Sequence, residues 1–170
     1  TDRTGTPQEV RSETLYDGWG QVQYRPNGNV GIVLKGGAEE RDPDGYDLDV
    51  AAANGQNSGM RKYNMAYRYR GYGEVMADFA LPNLPLSFSL SGYYADDSYN
   101  KTVVGVLSGI DRRYALDMAW AVSEKISAYA TFGEERIDSQ TRGSSVFGEP
   151  DWRADVSDDF QTYGAGVRAQ

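Results

Sequence analysis

The sequence predicts an all-β chain of the antiparallel up-and-down transmembrane β-barrel class, and three observations carry that expectation. Apolar side chains recur at every second residue through most of residues 63–168, and successive strand side chains point to opposite faces. Composition favours strands and turns, with 20 Gly, 13 Tyr and 3 Trp in 170 residues. Short turn signals alternate with longer polar connections, as in strands that cross a bilayer and return.

The first strand is read over residues 16–24, where Tyr16, Gly18, Gly20, Val22 and Tyr24 alternate with Asp17, Trp19, Gln21 and Gln23. Pro26-Asn27-Gly28-Asn29 is a strong turn signal, and Val30 to Leu34 answers it. A weaker strand over Tyr46–Ala52 lies within a long polar region near 36–59. From Tyr63 onward, Tyr63, Met65, Tyr67 and Tyr69 alternate with Asn64, Ala66, Arg68 and Arg70. Gly71-Tyr72-Gly73 then predicts a turn, and Val75, Ala77, Phe79 and Leu81 a return strand carrying Glu74, Met76 and Asp78 on its other side.

Pro82-Asn83 breaks the chain before Leu84, Leu86, Phe88 and Leu90, and the far end of that strand carries Asp96-Asp97 into water. A short strand over Thr102–Leu107 is closed by Ser108-Gly109-Ile110-Asp111. Tyr114, Leu116, Met118, Trp120 and Val122 then recur at every second residue, which decides against a helix. Ser123-Glu124-Lys125 turns the chain, and Ile126–Phe132 returns into the charged stretch Glu134–Arg142. A polar loop over residues 143–159 precedes the last strand, Phe160–Arg168. The expected organisation is one wall segment spanning residues 1–170, with nine or ten strands of about nine to eleven residues.

Composition excludes several chemistries. The chain has no Cys and no His, so by itself it cannot supply a thiol nucleophile, a Cys/His zinc site, covalent haem attachment or a histidine triad. A net charge of −8 gives the whole chain no cationic footprint for nucleic acid. No apolar run approaches the roughly 20 residues of a spanning helix. A soluble β-sandwich also alternates, but its outer face is usually covered with Lys, Glu, Thr and Arg. Here the polar flank is mostly Ser, Ala, Gly and Asn, while the apolar flank is rich in Tyr, Phe and Trp, as aromatic girdles require.

Four stretches resemble one family. They are Tyr63-Asn64-Met65-Ala66-Tyr67-Arg68-Tyr69-Arg70-Gly71-Tyr72-Gly73, Asp111–Trp120, Lys125–Glu135, and Trp152-Arg153-Ala154-Asp155 with Asp158–Val167. Together they resemble the decahaem-associated outer-membrane porins of the MtrB/PioB type. The resemblance implies a porin in the bacterial outer membrane that sheathes a multihaem c-type cytochrome, insulating it while electrons pass between periplasm and exterior. It also implies no catalysis and no cofactor in this chain, haem being carried by the partner. Family barrels are far longer, and neither an N-terminal Cys pair nor a terminal aromatic is present, so further chain is expected around this one. The alternatives are a general diffusion porin or small outer-membrane barrel, and, from another class, a soluble β-sandwich that stacks ligands on Tyr and Trp.

Candidate residues follow from the two flanks. Tyr63, Tyr67, Tyr69, Phe79, Tyr114 and Trp120 are expected to face lipid. Asn64, Arg68, Arg70, Glu74, Asp78 and Asp117 are expected to face the lumen or its occupant. As structure, Arg68 and Arg70 would form cross-strand ion pairs with Glu74 and Asp78, the reading preferred here; as function, they would contact a cytochrome or its propionates. Asp42, Asp44, Asp47 and Asp49 surround Gly45 but lack the spacing of a calcium loop, and Asp155, Asp158 and Asp159 read likewise as loop residues. Glu134 and Glu135 are adjacent on a strand, point to opposite faces and cannot flank one bond.

Overall fold

The computed structural model describes residues 10–45, 49, 53 and 55–169. Seven long strands form a single antiparallel meander: β1 (Ser12–Asn27), β2 (Val30–Asp44), β4 (Arg68–Ala80), β5 (Leu86–Ser98), β6 (Val104–Ser123), β7 (Ile126–Gly143) and β8 (Trp152–Ala169). A two-residue strand, β3 (Met60–Arg61), pairs in parallel with the start of β6. All eight belong to one sheet, which is not closed: β1 and β8 are its two edges.

Turn chemistry sets the register. Asn27 accepts the Asn29 N–H on its side-chain oxygen at 2.8 Å, closing the β1–β2 hairpin through Gly28-Asn29. Residues 81–85 and 124–125 make the other tight connections at the same end. Residues 45–67, 99–103 and 144–151 connect strands at the opposite end. Consequently β1, β4, β6 and β8 all run from the loop end toward the short-turn end.

Fewer and longer strands form than the sequence reading expected: eight among the described residues, the long ones spanning 13 to 20. Gly71-Tyr72-Gly73 is no turn. Gly71 pairs with Ala38 and Asp96, and Gly73 with Gly36 and Tyr94, so both lie inside β4 with neighbours on each side. Ser108–Asp111 likewise lies within β6, opposite β5 and β7. Residues 36–44 belong to β2 and residues 152–159 to β8, which shortens both expected loops. Polar composition there marks strands continuing past their apolar stretch, not breaks in the ladder. The expected strand at 46–52 lies outside the described residues except for Asp49, which is helical. Tyr63–Tyr67 alternates like a strand, yet residues 63–65 form a turn and β4 begins only at Arg68.

Burial is concentrated at the loop end, where Val10, Met65, Ala66, Ala95, Tyr99 and Val104 are at most 5% exposed. Elsewhere the sheet is a single layer. One glycine there is sterically required: a Cβ on Gly37 would stand 2.7 Å from the Gly18 carbonyl and 2.8 Å from both Trp19 Cβ and the Tyr72 ring. Gly37→Ala should therefore cost about 1–3 kcal/mol, because overpacking forces backbone or ring displacement. Denaturant midpoints of the two proteins check this, and an unchanged midpoint would show that the rings move aside freely.

Candidate functional site

Directly paired residues in neighbouring strands share a face, so the register resolves the sheet into rows. One row takes a residue from each long strand: Tyr24, Ile32, Ala77, Leu90, Leu116, Phe132 and Tyr163. Toward the short turns follow Val30, Phe79, Phe88, Met118, Ala130 and Ala165, then Leu86, Trp120, Ala128 and Val167. Toward the loops the row Val22, Leu34, Val75, Gly92 and Tyr114 ends on Glu134 and Gln161. These rows form an apolar belt on one flank, and among the described residues no second sheet covers it. Val22, Tyr114, Tyr163 and Val167 are each more than half exposed. Burying apolar area is the chief drive of folding, and an uncovered belt of this size marks an interaction surface.

Above the belt the same flank turns polar. Arg112 and Arg136 are direct cross-strand partners, a repulsive arrangement by itself. Asp138 relieves it by accepting from Arg112 at 2.7 Å, from Arg136 at 3.2 Å and from the Ser157 hydroxyl at 2.6 Å.

The opposite flank is mostly small or polar over the same depth, with Val33, Met76 and Tyr129 as its larger side chains. Its rows read Gly31, Asp78, Ser89, Asp117, Thr131 and Gly164, then Gln23, Val33, Met76, Ser91, Ala115, Gly133 and Thr162. Ser89 donates to Asp78 at 2.6 Å. One row nearer the loops, Arg113 pairs with Glu135 at 2.9 Å and with Asp111, and its guanidinium sits 5.0 Å from the Tyr93 ring centre.

At the loop end this flank carries a denser cluster. Arg70 donates to both oxygens of Asp97, at 2.6 and 2.7 Å. Arg68 pairs with Glu39 and approaches Asp97 at 4.0 Å. Arg41 donates to the main-chain carbonyls of Ala66, at 3.0 Å, and Tyr63. Burial, with Asp97 adding to it, pushes the nearby Tyr99 phenol above its ordinary value. The hydrogen bond from Tyr67 to Glu40, at 2.8 Å, does the same for the Tyr67 phenol.

The residues expected from sequence divide clearly. Tyr69, Phe79, Tyr114 and Trp120 share the apolar flank, and Arg68, Arg70, Glu74, Asp78 and Asp117 share the other. Tyr63, Asn64 and Tyr67 lie outside any strand, so alternation assigns them no face. Arg68 and Arg70 pair with Glu39 and Asp97, not with Glu74 and Asp78, because all four of the expected partners lie along one strand, β4. Glu39 and Arg41 went unnoticed in the sequence, and neither Arg113 nor Glu135 was read there as an ion-pair partner. Parity alone was available for them, since residues 93, 95 and 97 share a flank with Arg70. Glu134 and Glu135 do fall on opposite faces. Asp42 meets Lys101 at 3.4 Å, Asp155 accepts from Gln140 at 3.0 Å, and Asp47 lies outside the described residues. Among the described residues no group of three or more His, Cys, Asp or Glu is placed to hold a metal ion.

Comparison with known proteins agrees with this two-sided sheet. The family model for the outer membrane beta-barrel porin MtrB/PioB matches residues 1–170. The outer membrane protein MtrB of Shewanella baltica (strain OS185) is 29% identical over 149 residues, which is 88% of this chain and 21% of that protein. The chain thus spans about a fifth of the length of the curated relative it matches. A match along its whole length, on an open antiparallel meander with one apolar flank, makes this chain a member of the MtrB/PioB family of outer-membrane β-barrel porins.

Proposed function

We propose that this sheet is a stretch of barrel wall that encloses a multihaem c-type cytochrome and insulates it where electrons cross the outer membrane. The apolar belt meets lipid, and the flank carrying Asp78, Ser89, Asp117 and Arg113 looks into the lumen. The single observation that supports the reading is the contrast between the two flanks of a one-layer sheet. Leu90, Leu116 and Phe132 stand on one side; Ser91, Ala115 and Gly133, one residue on, stand on the other. Small residues leave room for an occupant, Arg113 is matched by Asp111 and Glu135, and Asp78 accepts from the Ser89 hydroxyl. With no Cys or His in these 170 residues, this stretch offers no c-type haem attachment or histidine ligation, and on this reading the haem belongs to the partner. The wall's part is then electrical exclusion and alignment, with no chemical step of its own.

The protein purified in detergent from its native membranes should carry a haem absorbance spectrum that co-elutes with it. A colourless preparation that still forms pores in planar bilayers would replace the conduit with a diffusion porin. A monodisperse particle in water without detergent would remove the barrel altogether.

A further inference from the structure

The connection from β2 to β4 does not simply hang from the loop end. β5 ends at Ser98, opposite Ser108, so residues 104–107 of β6 extend past it. β3 takes up that free edge, with Met60 beside Val104, and Val104 donates to the Gly59 carbonyl at 3.1 Å. To return from β3 to β4, the chain must cross the top of β5. It crosses on the polar flank, because Arg41, which shares a row with Arg68, holds the carbonyls of Tyr63 and Ala66 there. Burial agrees: Ala95 and Asp97 on that flank are covered, whereas Tyr94 and Asp96, which alternate with them on the other flank, are exposed. Asn57 ties the far end of the crossing to the Gly148 carbonyl at 3.2 Å.

The crossing has an inner and an outer side. Met65 and Ala66 are 1% exposed, while Tyr63 is 65% exposed and Lys62 and Asn64 are also open to solvent. Lys62 has no ion-pair partner among the described residues, an isolated cation in a chain of net charge −8.

We infer that residues 56–67 form a strap fixed across the polar flank at the loop-end mouth, and that Lys62, Tyr63 and Asn64 at its crest contact an anionic protein surface inside the barrel. This rests on the lumenal-occupant reading above. A ring flanked by an ammonium and a carboxamide suits a carboxylate-bearing surface, offering an ion pair, hydrogen bonds and apolar contact together. Arg41 is the positioning residue: its planar fork fixes two carbonyls of the strap at once.

Photo-crosslinking in native membranes tests this, with p-benzoylphenylalanine at position 63, at Met76 on the polar flank, or at Trp120 on the apolar flank. The expected result is a protein adduct from positions 63 and 76 and none from 120. Arg41→Ala should lower the adduct from position 63 at least fivefold and leave that from 76 unchanged; Lys62→Glu should lower it comparably, with assembly monitored by heat-dependent gel mobility. Adducts from 76 alone would overturn the strap contact and spare the occupant. Absence of adducts from both would overturn the two together. Indifference of the 63 adduct to Arg41→Ala would overturn the positioning role, and indifference to Lys62→Glu the charge match.

Discussion

Leu116→Arg should destabilise the membrane-inserted sheet by about 2–4 kcal/mol, the cost of a cation on the lipid face of a barrel near mid-bilayer. Leu116 sits in one of the two middle rows of the apolar belt, between Leu90 and Phe132, where, on the proposed reading, its side chain would have lipid on one side and backbone on the other. The same substitution at Val22, in the row nearest the loops, should cost about 0–1 kcal/mol, because a long side chain there reaches the headgroups. That gradient separates a membrane wall from a soluble sandwich, in which both positions would pack against a second sheet and both charges would be costly. Unfolding titrations in lipid vesicles measure it. Equal penalties at the two positions would contradict the placement of the belt in lipid.

The second large effect is expected at the loop end. Asp97 is 8% exposed and receives two hydrogen bonds from Arg70, with Arg68 close by. Asp97→Ala would leave two guanidinium groups with only Glu39 to neutralise them, in a site closed by the strap. Breaking a buried pair from one side typically costs 3–5 kcal/mol, most of it the uncompensated charge. The loss should appear as a lowered denaturant midpoint, together with faster proteolysis at the strap, and Asp97→Asn should recover part of it by keeping one acceptor. Arg113→Ala makes the contrast, since its ion pairs are more than half exposed on the arginine side and should be worth less than about 1 kcal/mol. Similar losses from the two would mean that water screens both sites alike.

What the sequence disclosed and what it concealed have separate causes. Period-two alternation assigns Phe79, Tyr114 and Trp120 to one flank and Asp78 and Asp117 to the other, because the pleat leaves no choice once a residue is in a strand. Pro26-Asn27-Gly28-Asn29 and Ser123-Glu124-Lys125 are legible because those residues favour turn geometry locally. Gly71-Tyr72-Gly73 imitates the same signal, yet neither glycine adopts positive φ and both sit in the middle of a ladder. Glycine's freedom permits a turn without requiring one. Residues 108–111 and 152–159 look like turn and loop for a related reason. Polar residues there belong to strand portions beyond the belt, which water solvates on one or both faces. The strap was illegible. Its alternation over Tyr63–Tyr67 is a strand pattern, and the contacts that override it come from Arg41, Val104 and Gly148, distant in the sequence.

The polarity of the two edges carries a topological consequence. β1 and β8 point the same way, so identical pieces set side by side in one membrane would meet along a parallel seam. A closed ring of alternating direction that contains this sheet must draw an odd number of additional strands from elsewhere, the first and last of them climbing from the short-turn end. No purely repetitive assembly of the piece satisfies that condition: it is an arc whose complement is fixed in parity.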